Sequence, residues 1–173
     1  MRIKIYTVLL AISILITNPK QVSGYTGITQ TNSATLATRV HDNDYKEVKL
    51  RSFLQTYNSP ISNQAEIFVK SANDNGLDWR LVPSITGVES TFGKHIPSNS
   101  YNAYGWANGK YAFESWEESI DHVSKTLKEK YIDRGADDVY KIGRIYAPPS
   151  PAWPGKVDYF MNKIDPLPLE FSL

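Results

Sequence analysis

Residues 77–94 read LDWRLVPSITGVESTFGK, and their spacing predicts the helix around which the chain is organised. The apolar residues recur at the intervals of one helix face packed on a core, and they are Leu81, Ile85, Val88 and Phe92. Asp78 is a candidate N-cap, because its carboxylate can accept the free amide protons of the first turn. Gly93 is a candidate end, because glycine adopts the left-handed conformation at little steric cost.

Glu89 lies beside Val88 at the edge of this apolar stripe, close to the predicted C-terminal end of the helix. A carboxyl group there is partly desolvated and faces the negative end of the helix dipole, and both effects favour its neutral form. Such a group suits a general acid that keeps its proton near neutral pH. The alternative from this stretch alone is an ordinary surface residue of an amphipathic helix.

Further blocks follow in order, and they are NAYGW at 102–106, FESWEESI at 113–120, YA at 146–147, Trp153, and KV at 156–157. Together with GVESTFG at 87–93, these blocks resemble the bacterial glucosaminidase domain of the lysozyme-like superfamily. A more distant resemblance links them to goose-type lysozymes and lytic transglycosylases. The resemblance covers roughly residues 46–165.

The resemblance implies a secreted glycosidase that cleaves β-1,4 linkages in the N-acetylated glycan strands of peptidoglycan, similar to mannosyl-glycoprotein endo-β-N-acetylglucosaminidases. It places the catalytic glutamate of the family on Glu89, the following serine on Ser90, and the tyrosine beside the catalytic acid on Tyr146. Ser90 could equally bond its own helix backbone, and Tyr146 could equally end the apolar stripe of a short helix. Whether an N-acetylglucosaminyl or an N-acetylmuramyl linkage is cut stays open, as does an anhydro-forming transglycosylase outcome.

The block at 102–106 also suggests residues that bind substrate. Sugar rings stack on aromatic side chains, so Tyr104 and Trp106 are candidates for a cleft wall. We expect Trp106 to be the more buried of the two. Asn102 could bond an N-acetyl group, although asparagine before a strand is often a turn former.

A second carboxylate is harder to identify. Glu114 and Glu117 suit the N-terminal end of a helix for dipole reasons alone, and Glu118 suits a capping box with Ser115. Members of this superfamily with a single acid use the acetamido group of the substrate as the nucleophile. The sequence leaves both routes open.

Composition excludes several other classes. The 173 residues carry a net charge of +1 and contain no cysteine, so no basic field favours nucleic acid and neither disulfides nor thiolate chemistry is available. The histidines, His41, His95 and His122, show no metal-ligand spacing, and we take them as surface residues. We therefore expect no metal, no cofactor and a monomer.

Arg2 and Lys4 precede an apolar run from 5 to 16, and small residues follow at 22–24, a pattern typical of a secretory signal peptide over 1–24. An uncleaved anchor is the alternative. Residues 25–43 are rich in Thr, Ser and Asn and predict a flexible tether. The domain would then occupy 44–165, followed by an irregular tail at 166–173.

Within the domain we predict a mainly α, lysozyme-like α+β architecture with a small β-hairpin inserted after the Glu89 helix. Asp44 opens a first helix with Val48, Phe53, Leu54 and Tyr57 as its apolar positions, and Asp137 caps a short later helix. Asn108-Gly109 lies between two aromatic runs, the strongest local hairpin signal. In that register Trp106 faces Tyr111 and Tyr104 faces Phe113.

The competing hypotheses are a catalytically silent glycan-binding module on the same fold and a structural or adhesion protein held at the cell surface by an uncleaved leader. The presence of Glu89 favours the enzyme. A wall-clearing assay separates it from the other two.

Overall fold

The structure is a computed structural model that describes residues 26–166, with side chains from Thr35 onward. The chain divides into two compact units, residues 1–36 and 37–173. The described part of the first unit is helical. The signal segment predicted at 1–24 and nearly all of the tail predicted at 166–173 lie outside the described residues.

The described residues form six α-helices and no strand. The helices are α1 Thr26–Thr56, α2 Ala65–Asn75, α3 Leu81–Ser90, α4 Trp116–Lys130, α5 Val139–Tyr146 and α6 Trp153–Ile164. Short 3₁₀ turns lie at Ser62–Gln64, Trp106–Gly109 and Ile132–Arg134. The mainly helical architecture predicted from the sequence is therefore confirmed. No helix in this part of the chain combines the length and the hydropathy that a membrane crossing requires.

The core forms where the apolar faces of the helices meet. α3 packs against α6, α2 against α4, and α5 against α6. The fully buried residues of α2, α4 and α6 include Phe68, Ile120, Leu127 and Val157. Burial of each such side chain stabilises the fold by about 1.5–3 kcal/mol.

The N-terminal helix differs from the prediction in two ways. It begins at Thr26, so the stretch 25–43, predicted to be irregular, is helical from that residue, and Asp44 lies inside α1 rather than at its start. Helix propensities differ by less than about 1 kcal/mol per residue for ordinary side chains, so a polar stretch can extend an existing helix. Val48 was predicted to be an apolar position of this helix but is exposed, and Leu50 is buried instead.

Asp78 was predicted to cap α3, and this prediction is wrong. Its carboxylate instead binds Arg80 through the backbone N–H at 2.9 Å and through the guanidinium at 2.6 Å, while Nη1 of Arg80 donates to the carbonyl of Asp165 at 2.6 Å. Burial would raise the pKa of Asp78, but its bonds to Arg80 outweigh burial and hold that pKa below its usual value. The pair joins the start of α3 to the end of α6. The cap of α5 is also shifted, from the predicted Asp137 to Asp138.

The end of α3 comes earlier than predicted. The helix stops at Ser90, and Thr91, Phe92 and Gly93 all have positive φ angles of 54°, 58° and 80°. This turn folds the ring of Phe92 back over α3, where it packs on Phe160 with ring centroids 4.9 Å apart. A Cβ at Gly87 would lie 2.6 Å from that ring, so the turn depends on a glycine in the middle of α3.

The predicted β-hairpin is absent from the described residues. Ala107, Asn108 and Gly109 do have positive φ, as the turn signal requires, but the flanking residues do not pair as strands. The amide of Asn102 donates to the carbonyls of both Trp106 and Tyr111, at 2.9 Å each. One side chain thus joins the two positions that were expected to pair directly. Residues 101–115 form an irregular loop, called the cleft loop below.

We expect Gly87→Ala to destabilise the fold by about 1–3 kcal/mol, because the added methyl overlaps the ring of Phe92. This loss should exceed the helix-propensity gain of about 1 kcal/mol. Gly155→Ala is the matched control, since a Cβ there meets nothing within 4 Å, and it should leave stability unchanged or slightly higher. Denaturant unfolding of both variants measures the difference, and equal effects would contradict the packing described for Phe92.

Candidate active site

Glu89 lies in the last turn of α3 and is half-buried. Its Oε1 accepts a hydrogen bond of 2.6 Å from the indole Nε1 of Trp153, the first residue of α6. Trp153 is only 3% exposed. Because an indole N–H can donate but not accept, this contact holds Oε1 as an acceptor.

The other carboxyl oxygen faces the cleft loop. Gly105 has a φ of 68°, and a Cβ on it would lie 2.9 Å from Oε2 of Glu89. Glycine suits the left-handed backbone at this position, and a larger residue would also have to displace the carboxyl of Glu89. The carboxyl of Glu89 lies between the indole of Trp153 on one side and the backbone of Gly105 on the other.

Tyr146, at the end of α5, completes this arrangement. Its hydroxyl donates to the carbonyl of Tyr104 at 2.6 Å, and its ring stacks on Trp153 with centroids 5.0 Å apart. Burial, and then the negative charge of Glu89, raise the pKa of Tyr146 well above its usual value. The phenol is therefore neutral at neutral pH. The structure thus brings Tyr146 next to Glu89, the position that the resemblance implies.

Ser90 is buried and supports the cleft loop rather than lining it. Its hydroxyl lies 2.9 Å from the carbonyl of Ala103 and 3.0 Å from that of Thr86, with one proton for the two acceptors, and it accepts from the N–H of Gly93 at 2.9 Å. These bonds occupy the hydroxyl fully. Ser90 is therefore a serine that bonds the backbone, the alternative considered above. Its hydroxyl joins the cleft loop to the end of α3.

Asn102 is likewise buried at 2% exposure. Besides its two donated bonds within the loop, its Oδ1 accepts from the N–H groups of Trp106 at 3.0 Å and Tyr104 at 3.4 Å. An asparagine side chain has no further strong hydrogen-bonding capacity. Asn102 is therefore a turn former. Its side-chain amide has no donor or acceptor left to bond an N-acetyl substituent.

The expected burial of the two cleft aromatics is reversed. Tyr104 is 1% exposed and packs edge-on against Phe113 in the core, whereas Trp106 is partly exposed and contacts Tyr146 and His122 edge-on. The prediction that Trp106 is the more buried is therefore wrong. The error came from the assumed strand register, which put both rings on one side of a hairpin.

A cleft of about 290 Å³ opens beside these residues. It is lined by residues 104–108 of the cleft loop and by Tyr131 and Tyr146. Its volume is near the lower end of the usual range for small-molecule sites, roughly 300–1,000 Å³. Polar and apolar surface contribute about equally to its lining. The exposed part of Trp106 and the tyrosine rings supply aromatic faces of the kind on which sugar rings stack.

None of the described residues lining this cleft is a carboxylate. The carboxylate of Glu118 accepts from the N–H of Glu114 at 2.6 Å, and the backbone N–H of Glu118 donates to the hydroxyl of Ser115 at 3.1 Å, so Glu118 caps the start of α4. Glu114 and Glu117 are exposed at the same helix end.

The histidines are exposed, as predicted. A larger groove of about 710 Å³ between α1 and α6 contains none of the predicted site residues.

Three members of this site were not predicted from the sequence. Trp153 and Gly105 were noted only within the blocks that carry the resemblance, and Tyr131 was not singled out. The position of Trp153 in the block after Tyr146 was the one available signal. Nothing in the local sequence indicates that its N–H points at Glu89.

We expect Tyr104→Ala to cost about 3–5 kcal/mol of stability, as is usual when a buried aromatic side chain is truncated. Trp106→Ala should cost clearly less, because this ring is partly exposed, but it should weaken binding to soluble N-acetylated glycan fragments. Thermal melts and calorimetric titration of the two variants provide the measurement. A larger stability loss from Trp106→Ala would restore the burial order that the sequence suggested.

Comparison with models of protein families found no match, and comparison with curated proteins found none either.

Proposed function

We propose that the protein is a secreted glycosidase with a lysozyme-like fold that cleaves β-1,4 linkages in the N-acetylated glycan strands of peptidoglycan, with Glu89 as its general acid. The specific activity we propose is that of an endo-β-N-acetylglucosaminidase. One observation carries the proposal. A half-buried carboxyl, oriented by a buried indole N–H, lies beside an aromatic cleft, and glycoside cleavage needs an acid that protonates the leaving oxygen.

Glu89 protonates the oxygen that leaves when the glycosidic bond breaks. The C–O bond of that linkage breaks as the proton moves from the carboxyl to the leaving oxygen, so the departing sugar leaves as a neutral alcohol. General acid catalysis of this type contributes roughly 10²–10⁴-fold in rate. Trp153 and Gly105 shield the carboxyl of Glu89, so it is only partly in contact with bulk water.

The positive charge that develops at the anomeric carbon needs a partner. Since no carboxylate lines the described cleft, we propose that the acetamido oxygen of the substrate attacks this carbon and forms a cyclic intermediate. Water then opens that ring, and the Glu89 carboxylate, formed in the first step, takes the proton of the water. Proton and charge balance over the two steps, and the enzyme returns to its starting state.

The aromatic surface of the cleft supports a glycan as the substrate class. Trp106 exposes part of its indole, and Tyr146 and Tyr131 are held neutral by burial, which raises the pKa of both phenols. Neutral hydroxyls and ring faces suit an uncharged sugar ring better than a phosphate or a cationic ligand. We propose peptidoglycan as the partner because of the signal pattern at 1–24 and the family resemblance.

We expect Glu89→Gln to lower wall-degrading activity by at least about 10²-fold, because the amide keeps the shape of the side chain but cannot deliver a proton. The fold should persist, since a half-buried, isosteric change removes no packing. Glu129→Gln, an exposed change on α4, is the matched control and should retain full activity. The assay follows clearing of purified cell walls, paired with thermal melts of each protein.

Two outcomes would count against this assignment. A folded Glu89→Gln protein with activity within a few-fold of wild type would remove Glu89 from the mechanism. A wild-type protein that binds glycan strands without cutting them would favour the non-catalytic binding module instead.

A further inference from the structure

Trp153 is held in place from several directions. Its ring stacks on Tyr146 with an interplanar angle of 26°. A Cβ on Gly143 of α5 would lie 3.1 Å from the indole and 2.6 Å from the ring of Pro154. α5 and α6 are thus in close contact at the start of α6, and the indole has little freedom to move. Its N–H has one acceptor, Oε1 of Glu89 at 2.6 Å.

We propose that Trp153 is a positioning residue for the general acid: its N–H fixes Oε1 of Glu89 as a hydrogen-bond acceptor, so that the transferable proton is carried on Oε2. This inference rests on the function proposed above. A protonated carboxyl has one O–H, and an oxygen that accepts a short bond from a donor-only group is the poorer place for it. Oε2 faces Gly105, one of the residues that line the cleft.

The same bond acts again after proton transfer. Once Glu89 has given up its proton, it is a carboxylate, and a hydrogen bond from an N–H to a charged oxygen is about twice as strong as one between neutral groups. The interaction therefore strengthens as the reaction proceeds. Contacts that strengthen toward the transition state raise kcat rather than lower KM.

The surroundings of Glu89 allow a pH test. Among the described residues, the titratable side chain that faces it from α5 is the phenol of Tyr146, and the phenols of Tyr131 and Tyr104 lie behind that one. Trp153 on α6 and Gly105 in the loop do not titrate.

The experiment compares Trp153→Phe with wild type on purified cell walls and on a soluble N-acetylated glycan oligomer. Phenylalanine keeps an aromatic ring but lacks the N–H donor. We expect kcat to fall about ten- to hundredfold, as for a lost hydrogen bond to a charged group, with KM nearly unchanged. Trp79→Phe, outside the cleft, is the matched control and should change neither value.

A second measurement does not depend on turnover. The indole N–H resonance of Trp153 in ¹⁵N-labelled protein should shift with pH in wild type and stay constant in Glu89→Gln. Trp153→Phe could fail to fold. In that case a tryptophan analogue with sulfur in place of the indole N–H can be incorporated at residue 153. This analogue removes the donor and preserves the packing.

The outcomes separate the two proposals. An indole resonance that shifts equally in wild type and Glu89→Gln would overturn the positioning role whatever the activity. An active wild type whose folded Trp153→Phe variant keeps its kcat would also overturn it. A wild type that cuts no glycan, with an indole resonance that still follows Glu89, would refute the proposed function and with it the catalytic meaning of the contact.

Discussion

The ring of Phe92 lies against Gly87, and the surroundings of Glu89 depend on this contact. Folding the ring back over α3 requires three successive left-handed residues, so the helix stops at Ser90. The stop places Glu89 in the last turn and frees the Ser90 hydroxyl to bind the cleft loop at Ala103. The loop then passes close enough for Gly105 to touch the carboxyl.

α6 supplies the other half of the site through the same core. It packs along α3, and its first residue, Trp153, points its N–H at Glu89. The Arg80–Asp78 pair, with its bond to the carbonyl of Asp165, holds the opposite ends of these two helices together. The carboxyl is thus oriented by packing between rigid helices and not by a flexible side-chain network, as an acid with a fixed direction of proton transfer requires.

Sequence periodicity predicted the helices and most of the core, because an apolar stripe at helical spacing has few other ways to be buried. It placed Glu89 near the end of α3, whereas the position of Tyr146 beside Glu89 was implied by the family resemblance and not by periodicity. It failed where local signals were overridden by tertiary contacts. Asn108-Gly109 adopts the expected positive φ values, yet the hairpin does not form, because burial of Tyr104 and the bonds of Asn102 organise the loop differently. The contact between Trp153 and Glu89 spans 64 residues, and no local pattern encodes it.

If this site cuts N-acetylated glycan strands, mass spectrometry of peptidoglycan digested with the purified protein should detect the products. We expect soluble fragments that end in a reducing N-acetylglucosamine. Such ends follow from protonation by Glu89 and opening of the intermediate by water. Strands that stay intact in the presence of folded protein would refute the proposed cleavage. Fragments ending in an anhydro sugar would keep Glu89 as the acid but replace hydrolysis by transglycosylation.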